Sequence, residues 1–88
     1  MPVESRTVSV GTALTEVAGP SINAKYVYLQ DGDYGTSSEV YVGGDSVTTS
    51  TGIKLSKANV SVLQINADDS VFAIGDSESS SVRVTEIS

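Results

Sequence analysis

Apolar residues in this chain recur at every second position, in short bursts, and this alternation limits the fold more than any other feature. In "KYVYLQ", Val27 and Leu29 fall on one side while Tyr26 and Tyr28 fall on the other. In "EVYVGG", Val40 and Val42 oppose Tyr41. "RTVSV", "NVSVLQI", "VFAIG" and "VRVTEI" are built the same way. A repeat of two is the signature of a strand, whereas an amphipathic helix repeats at 3.6. Between the bursts stand clusters of turn residues: "GPS" at 19–21, "DGDYG" at 31–35, "NADDS" at 66–70 and "DSESSS" at 76–81. Only "TALTEVA" at 12–18 offers a helix any length, and its Thr and Val residues disfavour one.

Short strands with turn signals about every ten residues indicate an all-β fold. The expected architecture is a small antiparallel β-sandwich or barrel, jelly-roll-like, of about seven or eight short strands. Residues 1–88 form a single β domain, with 1–6 a flexible or partner-contacting N-terminal arm ahead of the first confident strand. The expected core is Val8, Val10, Leu14, Val27, Leu29, Val40, Val42, Leu55, Val62, Leu63, Ile65, Phe72, Ile74, Val82, Val84 and Ile87. Val62 and Leu63 are adjacent, so that strand is apolar on both faces and needs cover on both.

A chain of 88 residues supports a limited core. Small proteins compensate with disulfides, metals or oligomerisation. This one has no Cys and no His, so disulfides, thiolate metal sites and imidazole ligands are excluded. Oligomerisation is the remaining compensation. Five basic residues against eleven acidic give a net charge of −6, which argues against nucleic-acid partners and anionic membranes. No apolar run approaches the roughly 20 residues of a membrane helix. The start, "MPVESRTVSV", lacks the basic and apolar segments of a signal peptide, so export by that route is not expected.

No cofactor is expected and catalysis is not expected. A serine nucleophile needs a base, and only Lys25, Lys54 or Lys57 could serve; these are expected instead as solvated lysines on edges and loops. "DGDYGTSSE", Asp31 to Glu39, resembles a calcium loop but places Gly35, Thr36 and Val42 where ligands or the turn glycine are needed. It is expected to be a hairpin. Asp68 and Asp69 are expected in a turn, and the sequon at Asn59–Ser61 is discounted because it falls in a strand. If the strands around 25–30 and 39–44 pair through the 31–38 turn, Tyr26, Tyr28 and Tyr41 share one surface, and tyrosine is enriched at interfaces.

"VYVGGDSVTTSTGIKL", Val40 to Leu55, resembles a pattern of small virion-associated proteins of tailed bacteriophages: a strand V-Y-[VI]-G-G, a turn, V-T-x-S-x-G, and a short apolar pulse ending in Leu. "FAIG", a Ser-rich loop and "VRVTEIS" are similar to the closing hairpin of that family, and the likeness covers about residues 25–88. Where relatives carry a "PLxPGE"-like turn, this chain has "KLSKANVS". The resemblance implies a capsid decoration or cement protein, or a head-fibre base. Such a protein is made in the host cytoplasm and binds the outer capsid surface as a homotrimer, with the major capsid protein and itself as partners. Tyr26, Tyr28, Tyr41 and Arg6 are the expected interface residues. In this frame Gly43 and Gly44 end a strand and the Ser/Thr run crosses to the other sheet. A tail, fibre or head–tail connector component is the alternative within virions. A carbohydrate-binding module is the alternative of another class, with only the tyrosines to form its aromatic platform.

Overall fold

The computed structural model of the chain describes residues 3–20, 25–32 and 38–87. They form eight strands: β1 (Val3–Ser9), β2 (Thr15–Ala18), β3 (Lys25–Asp31), β4 (Val40–Gly43), β5 (Ile53–Lys54), β6 (Ser61–Ile65), β7 (Val71–Gly75) and β8 (Ser81–Ile87). These make two four-stranded sheets, in the orders β1-β8-β3-β6 and β2-β7-β4-β5. Every pairing is antiparallel. The protein is therefore an all-β sandwich, with the strand orders of an eight-stranded jelly roll.

The chain changes sheet at each connection except the one from β4 to β5. Two expectations are corrected by this topology. The segment after Gly43 does not cross to the other sheet, because β4 and β5 pair with each other, Tyr41 opposite Lys54. The crossing comes after Leu55. Nor is the 31–38 connection a hairpin: β3 pairs with β6 and β8, whereas β4 pairs with β5 and β7. Residues 33–37 of "DGDYG" and its following Ser/Thr lie outside the described residues. The β4–β5 loop folds on itself. Val47 N donates to Gly44 O at 3.1 Å, Gly52 N to Thr48 O at 2.9 Å, and Thr48 N to Thr51 Oγ1 at 3.0 Å. The hydroxyls thus satisfy the loop's own backbone, and buried Val47 plugs it from beneath.

Inward positions of the two sheets make one aliphatic core: Val10, Val17, Ala18, Val27, Leu29, Val40, Val42, Leu55, Val71, Ala73, Val82 and Val84. Val8, Leu63 and Ile65 pack at its margin. Five expected core residues turn the other way, among them Ile87, which pairs with the outward Val3 and Tyr26. Leu14 is 43% exposed and Val62 is 51% exposed. Phe72 and Ile74 are half-buried on the outer side of β7, because the alternation of "VFAIG" gives the inside to Val71, Ala73 and Gly75. At Gly75 the neighbouring connections leave no room for a side chain. A Cβ at Gly75 would sit 2.3 Å from Ser80 Cβ and 2.5 Å from Gly11 O.

Both ends of β3 point a charged side chain into the sandwich. Lys25 is 7% exposed and Asp31 is fully buried. Lys25, expected as a solvated lysine, donates instead to Glu86 and to Gly19 O. At the other end Lys57 Nζ meets Asp31 Oδ2 at 2.9 Å and also donates to Ser38 O. Of the three lysines only Lys54, on edge strand β5, is well exposed.

Glu86 has a second partner in Arg6, whose Nη1 lies 2.6 Å from its carboxylate. Arg6 Nη2 donates to Val17 O in the opposite sheet. Burial pushes the Glu86 carboxyl up, but the hydrogen bonds from Lys25 and Arg6 and their charges hold it below the ordinary value of 4.5. Most of the segment expected as a flexible or partner-contacting arm at 1–6 lies on an ordered strand. Residues 3–6 are the first half of β1, in register with β8 from Val3↔Ile87 to Arg6↔Val84, and the bonds of Arg6 tie that half to both sheets. Met1 and Pro2 lie outside the described residues.

Candidate contact surface

The outer face of the β1 sheet is set by the residues that alternate away from the core. Cross-strand register places Val3, Ile87, Tyr26 and Gln64 in one row, and Ser5, Thr85, Tyr28 and Val62 in the next. Thr7, Arg83 and Gln30 follow. The face is short on carboxylates and rich in hydroxyl and apolar groups. Tyr26 is 46% exposed, and Val3, Val60 and Val62 are each more than half exposed. Ser5 and Thr85 hydroxyls bond across it at 2.8 Å. A shallow hollow lined by Tyr28, Gln30, Val60, Arg83 and Thr85 lies on the same side. Exposed tyrosine and valine on a surface with few acidic groups has the composition of a protein contact.

The four expected interface residues are not brought together. Tyr26 and Tyr28 stand on this face. Tyr41 stands on the outer face of the other sheet, opposite Ile74 on β7 and Lys54 on β5, with the sandwich between. Arg6 bonds to Glu86 and to Val17 O, with its side chain still 36% exposed, and does not stand on this face. The three-tyrosine surface fails because it assumed that β3 and β4 were neighbours. Val62 was expected in the core because an apolar residue on a strand defaults there, while Val3 and Val60 were assigned to no surface. The signal for Val62 was in the pattern: it keeps phase with Asn66 and Gln64 rather than with Leu63 and Ile65.

Asp68 and Asp69 share a hollow with Asp45, Ser70 and Phe72. They form the expected turn, with Asp69 N on Asn66 O and Asp68 at φ 68°. Among the described residues no group of acidic side chains is arranged to hold a metal ion.

No family model and no curated protein matches the chain. Solved structures do. One is a chain from the acid-stable capsid structure of Helicobacter pylori bacteriophage KHP30, with a TM-score of 0.60, 14% identity, and 99% of this chain and 92% of that one covered. Another is a chain from Bacillus endospore appendages, described as a family of disulfide-linked pili, with a TM-score of 0.64, 13% identity, and 97% and 80% covered. At these identities the likeness is one of fold.

Proposed function

We propose that this chain is a structural protein of a phage virion, an accessory subunit that adds to the outside of an assembled head as a homotrimer and reinforces it. The observation that carries the reading is the fold shared with a chain of a phage capsid structure, nearly end to end in both proteins. The "VYVGGDSVTTSTGIKL" resemblance to tailed-phage virion proteins, drawn from residues alone, points the same way. The partners are the major capsid protein and further copies of this chain, and the role is binding without catalysis. The face bearing Tyr26, Tyr28, Val3 and Val62 is the contact. It carries little of the net charge of −6, which sits on turns such as Asp45, Asp68, Asp69, Asp76 and Glu78. A trimer engages the shell three times at once, so weak single contacts suffice.

A second reading places the chain in a tail or fibre. The likeness to a pilus-forming chain favours it. Immunogold labelling of virions with an antibody to the chain separates the two. Label on heads supports the decoration reading, label confined to tails or fibres favours the second, and virions without label overturn both.

A further inference from the structure

We propose that the β1 sheet continues from copy to copy, with the open edge of β1 in one molecule pairing antiparallel with the open edge of β6 in the next. The proposal deepens the self-association in the function above by naming the strands that carry it.

The direction of the strands permits it. With four antiparallel strands in the order β1-β8-β3-β6, the two edge strands run in opposite directions. A second copy added in the same orientation therefore meets β6 with an antiparallel β1.

The hydrogen-bonding phase also permits it. Val10 N donates to Ser80 O, and Gly32 N donates to Ser81 O, each at 3.0 Å. Backbone groups alternate in direction along a strand, so Val82, Val84 and Glu86 serve β1 while Ser81, Arg83 and Thr85 serve β3. On β1 the residues facing β8 are then Glu4, Arg6 and Val8, leaving the N–H and C=O of Val3, Ser5, Thr7 and Ser9 on the open edge. On the far side, Asp31 N points toward β6, where it meets Ser56 O at 3.1 Å. Ser61, Leu63 and Ile65 thus face β3, and Val62 and Gln64 face the open edge. On both edges the outward-facing backbone belongs to residues whose side chains lie on the outer face. Pairing such residues keeps that face continuous across the joint.

The edges differ in their defences. Edge strands are commonly protected by shortness, lysine, proline or a bulge. In the β2 sheet, β2 carries a bulge between Glu16 and Ala18, and β5 has two residues, one of them Lys54. In the β1 sheet, β1 runs seven residues in unbroken register and β6 runs five without a charge. Inward charges on an edge strand would also deter pairing, but of the two on this side of β1, Arg6 is bonded to Glu86 and Val17 O, and Glu4 lies 4.0 Å from Arg6. The joint excludes most of the acidic surface, since β6 is uncharged and β1 balances Glu4 with Arg6. A head-to-tail contact of this kind closes into a ring or propagates as a fibre.

The absence of cysteine makes the test clean. Ser5→Cys and Thr7→Cys place a thiol on the β1 edge; Val62→Cys and Gln64→Cys place one on the β6 edge. The edges within one molecule are three strand spacings apart, roughly 14 Å, beyond the ~7 Å Cα separation a disulfide tolerates. Any link therefore joins two copies. Each β1 variant is mixed with each β6 variant without capsids, oxidised with diamide, and run on a non-reducing gel. The proposal expects linked dimers in at least one mixture, at several-fold the yield of either variant alone. Comparable linkage in a β1 variant alone would overturn it in favour of a twofold β1–β1 contact, and no linkage in any mixture would overturn it outright. Ser5→Pro removes an N–H on the open edge and none from the β8 ladder. Light scattering should show smaller particles with an unchanged circular dichroism spectrum; an unchanged particle size contradicts the proposal. Neither measurement involves a capsid, so their failure leaves shell binding standing.

Discussion

Lys57 Nζ lies 2.9 Å from Asp31 Oδ2, and Asp31 is fully buried at the end of β3. With Lys25 and Glu86 at the other end, each end of that strand is closed by an ion pair. A charge removed from water is tolerated only when it is paired and hydrogen-bonded.

Lys57→Met removes the Lys57 charge from beside buried Asp31. The loss expected is about 3 kcal/mol, the lower part of the range for breaking a buried pair, because the Lys57 side chain is 26% exposed. Urea unfolding should show a lower midpoint at constant slope. Adding Asp31→Leu should recover much of the loss. A Lys57→Met midpoint equal to wild type contradicts this role.

Acid should weaken the opposite end. Glu86 holds its proton less tightly folded than unfolded, so as pH falls the unfolded chain takes up that proton first. Its contribution is complete above the ordinary glutamate value of 4.5 and is lost as pH falls through the lower folded value. Glu86→Gln should be less stable at pH 7 and should lose stability less steeply below pH 5, measured by urea midpoints across pH. An acid slope identical to wild type removes Glu86 from the account.

The strands were legible because alternation is local: "KYVYLQ" and "EVYVGG" show their inner and outer faces without reference to the rest of the chain. Their pairing was not. Whether 31–38 turns a strand back or carries it across the sandwich depends on which partners β3 finds, and those are β6 and β8, far along the sequence. The tyrosine surface failed with that pairing. The partners of Lys25 and Arg6 were hidden for a related reason. A lone basic residue on a strand looks solvated until Glu86, contributed by the last strand, reaches it. The all-β class survived both errors because it rests on periodicity alone.

The Gly pair of the quoted motif should divide in effect. A Cβ at Gly44 meets nothing within 4 Å, while one at Gly43 comes within 2.9 Å of Val47 Cγ2. Gly44→Ala should be neutral or gain a few tenths of a kcal/mol by stiffening the unfolded chain. Gly43→Ala should lose about 1 kcal/mol as Val47 shifts. Gly75→Ala, which meets backbone and a Cβ rather than a mobile tip, should lose about 3 kcal/mol or more. Thermal melts give the order, and a Gly44 variant less stable than the Gly43 variant would refute it.

Tyr26 and Tyr41 occupy opposite outer faces, so they should separate in binding. Tyr26→Ser should weaken shell binding tenfold or more, and Tyr41→Ser should leave it within twofold. Both are to be measured on protein shown to be folded by circular dichroism. Equal losses, or loss only with Tyr41→Ser, would move the contact off the β1 sheet.

Shell binding is tested most directly by adding purified protein to phage heads that lack it and sedimenting them at fixed salt over a range of protein concentrations. Saturable co-sedimentation is expected at a stoichiometry divisible by three, with heads that resist heat or osmotic shock better once filled. Protein that stays in the supernatant at every concentration, while folded, would contradict shell binding.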